Sequence, residues 1–513
     1  MTEQASSNKK LAKNTMLLYF RMLFMMFIGL YTSRVILNAL GVEDFGIYSV
    51  VGGVVSMFSI VSSSLSASIS RFITVELGTG NMERLKKAFS MSVTIQFLLI
   101  AVVLVLFETV GLWFLNYQMV IPSERIVAAN WVFQFSVVTF LLGLWSVPYN
   151  AAIIAHEKMS AFAYISIFDA IAKLIVAFAI VYSSIDRLSL YAFLLMLISL
   201  FDRLVYGLYC KRHFSECTYH FCFEKEYFKS MLSFSTWQFI GCTAGILRDQ
   251  GGNMLLNLFF GPAVNAARGV AIQVSGFVRG FASNFLVALN PQIMKTYARD
   301  EINRMITLVF QGARFSIYLL LLLSLPIILN THYLLELWLG IVPSHAVLFC
   351  QLVLISSICE AMSNTLITAQ DATGKIRNYQ MVVGTALLMC FPLYYLFLKL
   401  GAAPESVFIV TIVMSQVCLA LRLYMIRKII PLSIVAYLKK VYFNALLVTV
   451  FSVAIPFLVN MQLEEGLVRF LLVSMLSVIS TLLSIAYIGC SKQERNLFKQ
   501  KVLPVIKQKL HLK

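Results

Sequence analysis

The sequence predicts an all-α polytopic membrane protein of about fourteen transmembrane helices, arranged as two pseudo-symmetric six-helix lobes plus two C-terminal helices. Three observations predict it: apolar runs of spanning length, a one-sided distribution of basic residues, and an internal repeat. Hydrophobic residues make up 59% of the 513 and charged residues 13%, with a mean hydropathy of +0.83. That composition belongs to helical membrane proteins.

Runs of about 20 apolar residues are placed near 15–40, 45–68, 87–110, 127–150, 160–183, 189–210, 233–259, 265–289, 309–330, 347–370, 379–398, 406–426, 440–460 and 468–488. Polar Met1–Asn14 leads directly into a full-length span, so the first span is expected to act as a retained insertion signal. The net charge of +17 invites a nucleic-acid reading. Its distribution argues against one. Basic residues crowd Lys9–Lys13, Arg84–Lys87, Lys211-Arg212, Arg427-Lys428, Lys439-Lys440 and the tail, whereas the loops at 39–46, 251–264 and 331–346 have none. This positive-inside pattern is expected to put both termini in the cytoplasm, with no nucleic-acid partner.

Shifting the chain by 220 residues aligns Gly41 with Gly261, Ile73 with Ile293 and Arg84 with Arg304. Leu112-Trp113 before Pro122-Ser123 is echoed by Leu337-Trp338 before Pro343-Ser344, and Gln134, Ala155 and Lys158 match Gln351, Ala372 and Lys375 at a slightly smaller shift. A shift across six helices, an even number, keeps both halves in one membrane orientation. The expected organisation is an N-terminal lobe 1–212, a linker 213–227, a C-terminal lobe 228–430, a two-helix extension 431–490 and a basic tail 491–513. Two equivalent lobes around a cavity describe a transporter working by alternating access, although duplication also builds channels and scaffolds.

Nine basic residues lie within the expected spans: Arg21, Arg34, Lys173, Arg203, Arg248, Arg268, Arg279, Arg314 and Arg422. Each costs roughly 2.5–3.5 kcal/mol at the centre of a lone inserting helix, so each needs a cavity, a bundle interior or a partner. Arg268, Ser275 and Arg279 recur at intervals that place them on one helix face. Trp237, Gly241, Ala244 and Arg248 form another stripe. Arg34 shares a face with Tyr31 and Asn38, while Arg21 points elsewhere. Arg21, Arg34, Arg248, Arg268 and Arg279 are therefore the candidate cationic cavity, with guanidinium forks suited to phosphate. The competing reading is pairing with carboxylates. It suits Arg203 beside Asp202, and Arg314 and Arg422 are placed to snorkel.

Asp169 and Lys173 stand i, i+4, the spacing of an ion pair or an ion-coupling switch. Asp249 adjoins Arg248. Glu360 lies in a polar stripe with Ser356, Ser357, Ser363 and Asn364, a candidate titrating group unless an Arg from another helix meets it. The serine-rich second span, from Ser56 to Ser70, is read as close helix packing, with sugar contact as the lesser alternative. Cys210, His213, Cys217, His220 and Cys222 are zinc-type ligands, but their spacing matches no standard site, so no metal is expected. No nucleophile–base pair or nucleotide loop is recognisable, and neither enzyme activity nor a cofactor is expected.

Ser33-Arg34-Val35-Ile36-Leu37-Asn38-Ala39-Leu40-Gly41 with Asp44-Phe45-Gly46-Ile47-Tyr48, then Arg71-Phe72 and Glu76-Leu77-Gly78-Thr79-Gly80, resemble the Wzx-type polysaccharide flippases of the multidrug/oligosaccharidyl-lipid/polysaccharide exporter superfamily. The resemblance implies movement of an undecaprenyl-pyrophosphate-linked oligosaccharide from the inner to the outer leaflet of a bacterial cytoplasmic membrane. It also implies a place in O-antigen, capsule or exopolysaccharide synthesis, with a polysaccharide polymerase and chain-length machinery as partners and the phospholipid bilayer as setting. By analogy with peptidoglycan-precursor flippases, the last two spans are expected to help hold the lipid tail. A multidrug exporter of the same superfamily is the alternative; it is expected to meet organic cations through cavity carboxylates. A polymerase or ligase is disfavoured by extracytoplasmic loops no longer than about 16 residues, around 111–126 and 331–346.

Overall fold

A computed structural model describes residues 2–56, 58–117, 119, 121–220, 224–339, 342–491 and 494–495. The described secondary structure is helical throughout: α1 Thr2–Ser56, α2 Ser59–Thr79, α3 Met82–Leu106, α4 Leu112–Tyr117, α5 Ile126–Ala155, α6 Met159–Ala179, α7 Arg187–His213, α8 Lys225–Phe260 and α9 Pro262–Ala298. There follow α10 Ile302–Leu329, α11 Thr331–Leu339, α12 Ala346–Thr373, α13 Arg377–Leu388, α14 Cys390–Lys399, α15 Ser406–Arg427, α16 Ile434–Tyr437, α17 Asn444–Gln462 and α18 Leu467–Ser484. With backbone hydrogen bonds satisfied inside each helix, such a chain suits a bilayer.

Among the described residues, 12 helices are long and apolar enough to cross a membrane. The expected spans at 45–68 and 233–259 are not in that set. Both regions are nonetheless helical, in α1–α2 and in α8. The first runs across Met57, which lies outside the described residues, and Arg248-Asp249-Gln250 with its polar neighbours dilutes the second. Helix ends follow local chemistry. Asn81 and Asp186 cap α3 and α7 by accepting from the amides of Arg84 and Ser189. α1 is two helices joined at Gly41, whose φ of 80° and ψ of 170° break the helix.

The repeat is visible in the backbone. Left-handed residues recur in register: Gly41 and Gly261 at φ 80° each, Gly80 at 75° and Asp300 at 59°, Glu157 at 57° and Gly374 at 72°. End-loop contacts to a carboxylate recur too, Arg125 with Asp186 at 2.8 Å and His345 with Glu405 at 2.5 Å.

The chain packs into two compact units: Met1–Thr243 with Val287–Glu301 and Asp371–Gln380, and Ala244–Leu286 with Ile302–Gln370 and Met381–Lys513. In the first, α5 packs on α7 and α2, and α1 on α6. Ser68 of α2 is fully buried and its hydroxyl donates to the Met231 carbonyl of α8 at 3.3 Å, a close approach that a small residue permits. Arg71 holds the end of α12, donating through Nε to the Asp371 carbonyl at 2.6 Å and through Nη2 to the Ala372 carbonyl at 3.2 Å. Lys295 pairs with Glu157 at 2.9 Å and Arg299 donates to the Gly78 carbonyl at 3.2 Å.

Gly78 is required by a close approach. A Cβ there would stand 2.8 Å from Ala298 Cβ and 3.0 Å from Lys295 Cα. Gly78→Ala is expected to cost about 1–3 kcal/mol by overpacking, read as a lowered thermal midpoint. Gly143→Ala, with nothing within 4 Å, is expected to leave it unchanged.

The segment after α7 is anchored by a hydrogen bond. His156 Nε2 lies 2.5 Å from Glu216 Oε1, and the imidazole stacks on Phe214 at 4.0 Å. Burial alone would raise the Glu216 pKa; the hydrogen bonds from His156 and from its own backbone outweigh it and hold the carboxyl below its ordinary value. Nearby, Cys210 and Cys217 are buried whereas His213 and His220 are exposed, and Cys222 lies outside the described residues.

In the second unit α17 and α18 pack on each other and α10 packs on both. Tyr318 donates to Asn444 and, at 3.1 Å, to the Gly489 carbonyl. Arg314 corrects the snorkelling expectation: it is nearly buried and pairs with Glu494 at 2.7 Å. The tertiary pairing removes any need to reach water. Exposed Phe451, Ile455, Leu458, Leu471, Met475 and Leu482 give this pair an apolar outer surface suited to lipid.

Candidate functional site

The second unit contains a cavity of about 440 Å³ bounded by residues of α8, α9, α12, α14 and α15. Arg248, Arg268 and Arg279 line it together with Asp249 and Glu360, three guanidiniums against two carboxylates. The face predicted for α9 is the one it presents: Arg268, Ser275 and Arg279 all reach the cavity.

Glu360 supplies the centre. Its Oε1 lies 2.9 Å from Arg248 Nη1 and its Oε2 3.0 Å from Arg279 Nη2. The Glu360 carboxylate of α12 thus meets arginines from two other helices, so the charge partner absent from its own helix comes from its neighbours. Arg248 also donates through Nε to Asp249 at 2.9 Å. Arg279 donates through Nε to Ser357 Oγ at 2.7 Å, which contacts Ser275 Oγ at 2.9 Å and donates to the Val353 carbonyl at 2.8 Å. These bonds fix the direction of the guanidinium, although the Arg279 side chain is 42% exposed.

Arg268 is different. It is 6% exposed, its Nη2 donates to the Asp249 carbonyl at 2.7 Å, and its Nε is buried without a hydrogen-bond partner. No ion pair within 4 Å is seen for it among the described residues. Ser356 Oγ, also on the cavity wall, is buried and unpartnered. A buried guanidinium and a hydroxyl with spare hydrogen-bonding capacity in one polar pocket are what an anion-binding site requires.

The other candidates lie in the first unit and do not share this cavity. Arg21 stacks its guanidinium 4.2 Å over the Phe162 ring, and Arg34 is exposed on α1. Asp169 and Lys173 pair at 2.8 Å, with the Asp202 carboxyl beside them. Arg203 departs from the expected pairing with Asp202: its guanidinium sits 4.1 and 4.0 Å over the rings of Trp145 and Tyr149. An aromatic face attracts the cation and keeps both groups in an apolar setting. Two wall residues carried no sequence signal. Tyr394 and Thr411, 2.7 Å apart through their hydroxyls, come from separate apolar helices and are themselves uncharged.

Residues 11–297 match the family described as polysaccharide biosynthesis protein. No curated protein sequence matches the chain. Among solved structures, a MATE protein crystallised in complex with MaD3S is similar at TM-score 0.72 and 11% identity, covering 82% of this chain and 96% of that one. A MOP superfamily transporter from Pyrococcus furiosus, described by the reverse polarity of its binding pocket, is similar at TM-score 0.66 and 12% identity, covering 81% and 95%. An outward-facing multidrug resistance MATE family transporter is similar at TM-score 0.64 and 14% identity, with the same coverage. The chain therefore belongs to the polysaccharide biosynthesis protein family, and its fold is similar to that of the MATE proteins.

Proposed function

We propose that this protein is a membrane transporter that moves pyrophosphate-linked lipid oligosaccharides from the cytoplasmic to the outer leaflet of a bacterial inner membrane, by alternating access, for surface-polysaccharide assembly. The observation that carries the reading is the second unit's cavity, where Arg248 and Arg279 flank Glu360 and buried Arg268 keeps an unused donor. Family membership supplies the polysaccharide context. Arginine forks match the paired oxygens of a pyrophosphate, and one positive charge in excess favours an anion without trapping it.

A multidrug exporter is the second reading. It is favoured by the MATE-like fold and by two carboxylates on the cavity wall. The arginine excess argues against it, since each carboxylate already has a cation beside it.

Liposomes holding purified protein and undecaprenyl-pyrophosphoryl oligosaccharide test the proposal, with an impermeant sugar-modifying reagent reporting leaflet exchange. Arg268→Ala and Arg279→Ala are each expected to slow exchange about 10–100-fold, the equivalent of about 1.5–3 kcal/mol for a charge-assisted hydrogen bond. Wild-type failure on lipid-linked sugars together with efflux of organic cations would transfer the assignment to the drug exporter. Exchange indifferent to both substitutions would remove these two arginines from the site.

A further inference from the structure

The first unit has a smaller cavity, about 230 Å³, walled by the rings of Tyr48 and Phe140 and the hydroxyl residues Ser136 and Thr139, with Gly52 and Ala192 beside them. Its position is not arbitrary. The offset of 220 that pairs Gly41 with Gly261 carries Tyr48, Gly52 and Val55 onto Arg268, Ile272 and Ser275. The offset of 217 that pairs Glu157 with Gly374 carries Ser136 and Thr139 onto Val353 and Ser356. The offset of 216 that pairs Lys211-Arg212 with Arg427-Lys428 carries Ala192 and Leu195 onto Phe408 and Thr411. Every one of these counterparts lines the arginine cavity. Seven of the cavity's eight wall residues thus have counterparts on the arginine cavity, Phe140 with its counterpart Ser357 being the exception.

Only one copy is charged. The positions of Arg248, Arg279 and Glu360 are held in the first half by Ile28, Ser59 and Gly143, and Arg268 is replaced by Tyr48. An anion therefore gains nothing from an ionic partner in the first pocket. Its walls suit a different chemistry. Aromatic rings present flat apolar faces for the C–H side of a sugar ring, and hydroxyls exchange hydrogen bonds with its rim. Thr139 donates its own proton to the Phe135 carbonyl at 2.8 Å, which leaves its oxygen to accept. Tyr48 is braced by Tyr191, ring centroids 5.0 Å apart. The volume is below the roughly 300–1,000 Å³ of drug-sized sites and matches a single ring.

We propose that this pocket is a second ligand site, the uncharged repeat counterpart of the arginine cavity, and that it takes one neutral pyranose ring. The inference rests on the oligosaccharide reading above only in naming the ligand a sugar.

The test uses full-length protein in nanodiscs and saturation-transfer NMR with methyl α-D-glucopyranoside, methyl α-D-galactopyranoside and methyl α-L-rhamnopyranoside. Inorganic pyrophosphate titration serves as an independent report on the second unit. Wild type is expected to transfer saturation to at least one glycoside. Gly52→Leu fills the pocket, and a Cβ at that position meets nothing within 4 Å. Thr139→Val removes one hydroxyl at nearly constant volume. Both are expected to reduce transfer about fivefold or more, in line with loss of about 1 kcal/mol, with pyrophosphate affinity unchanged. No transfer to wild type, or equal transfer with both variants, overturns the site. If Gly52→Leu fails to fold, Thr139→Val decides alone. Glycoside transfer that responds to both variants in a protein unable to move lipid-linked oligosaccharide would leave this site standing and sink the transport reading. Leaflet exchange without glycoside transfer would do the reverse.

Discussion

Glu360→Gln is expected to tighten the binding of inorganic pyrophosphate while making the protein less stable. The carboxylate stands between Arg248 and Arg279 and neutralises one of them. Removing its charge raises the cavity's excess from one positive charge to two and frees guanidinium donors for the ligand. At a separation of about 8 Å and an effective dielectric near 20, one unit charge is worth roughly 2 kcal/mol, close to thirtyfold in Kd. The same change leaves two arginines partly uncompensated. Breaking a buried pair costs about 3–5 kcal/mol; Glu360 is 23% exposed, so solvent screening brings the expected loss to about 2 kcal/mol. Calorimetric titration and thermal unfolding of wild type and variant read both quantities. Weaker pyrophosphate binding would mean that Glu360 is needed to aim the arginines, and the excess-charge account would fall. Loss of organic-cation binding in Glu360→Gln would instead favour the multidrug exporter.

Arg71→Ala is expected to be the most destabilising single change outside that cavity. Its fork closes the end of α12 by bonding the Asp371 and Ala372 carbonyls, groups that a helix C-terminus leaves without donors. The guanidinium also lies 4.8 and 5.1 Å from the ring centres of Phe72 and Phe234. Two orphaned carbonyls and a lost cation–π contact sum to about 3–4 kcal/mol. Arg71→Lys keeps the charge but not the planar fork, and is expected to recover less than half of the loss. A lysine variant as stable as wild type would show that charge alone, not bidentate geometry, holds the helix end.

The repeat shows how far residue identity carries. Gly41 and Gly261 align by inspection because only glycine adopts their backbone angle without strain. Gly80 with Asp300 and Glu157 with Gly374 share only a positive φ, with unlike side chains, so their equivalence appears only in the backbone. The same limit applies to the site. Helical periodicity was enough to put Arg268, Ser275 and Arg279 on one face, since that is a property of a single helix. It was not enough to join Glu360 to Arg279, more than eighty residues earlier in the chain, or to give Arg314 its partner Glu494.

Hydropathy, basic-residue placement and repeat register alone determined the helical membrane fold, its duplicated lobes and the presence of arginines needing partners. These are properties of short segments in a fixed solvent, where the cost of an exposed backbone group leaves helices as the economical answer. Tertiary packing decided which arginines were neutralised and which were left with a free donor. It drew Arg248, Arg268 and Arg279 into one cavity and left Arg21 and Arg34 outside it. Ion pairing depends on distances of a few ångströms between helices remote in sequence, and only the folded chain sets those distances.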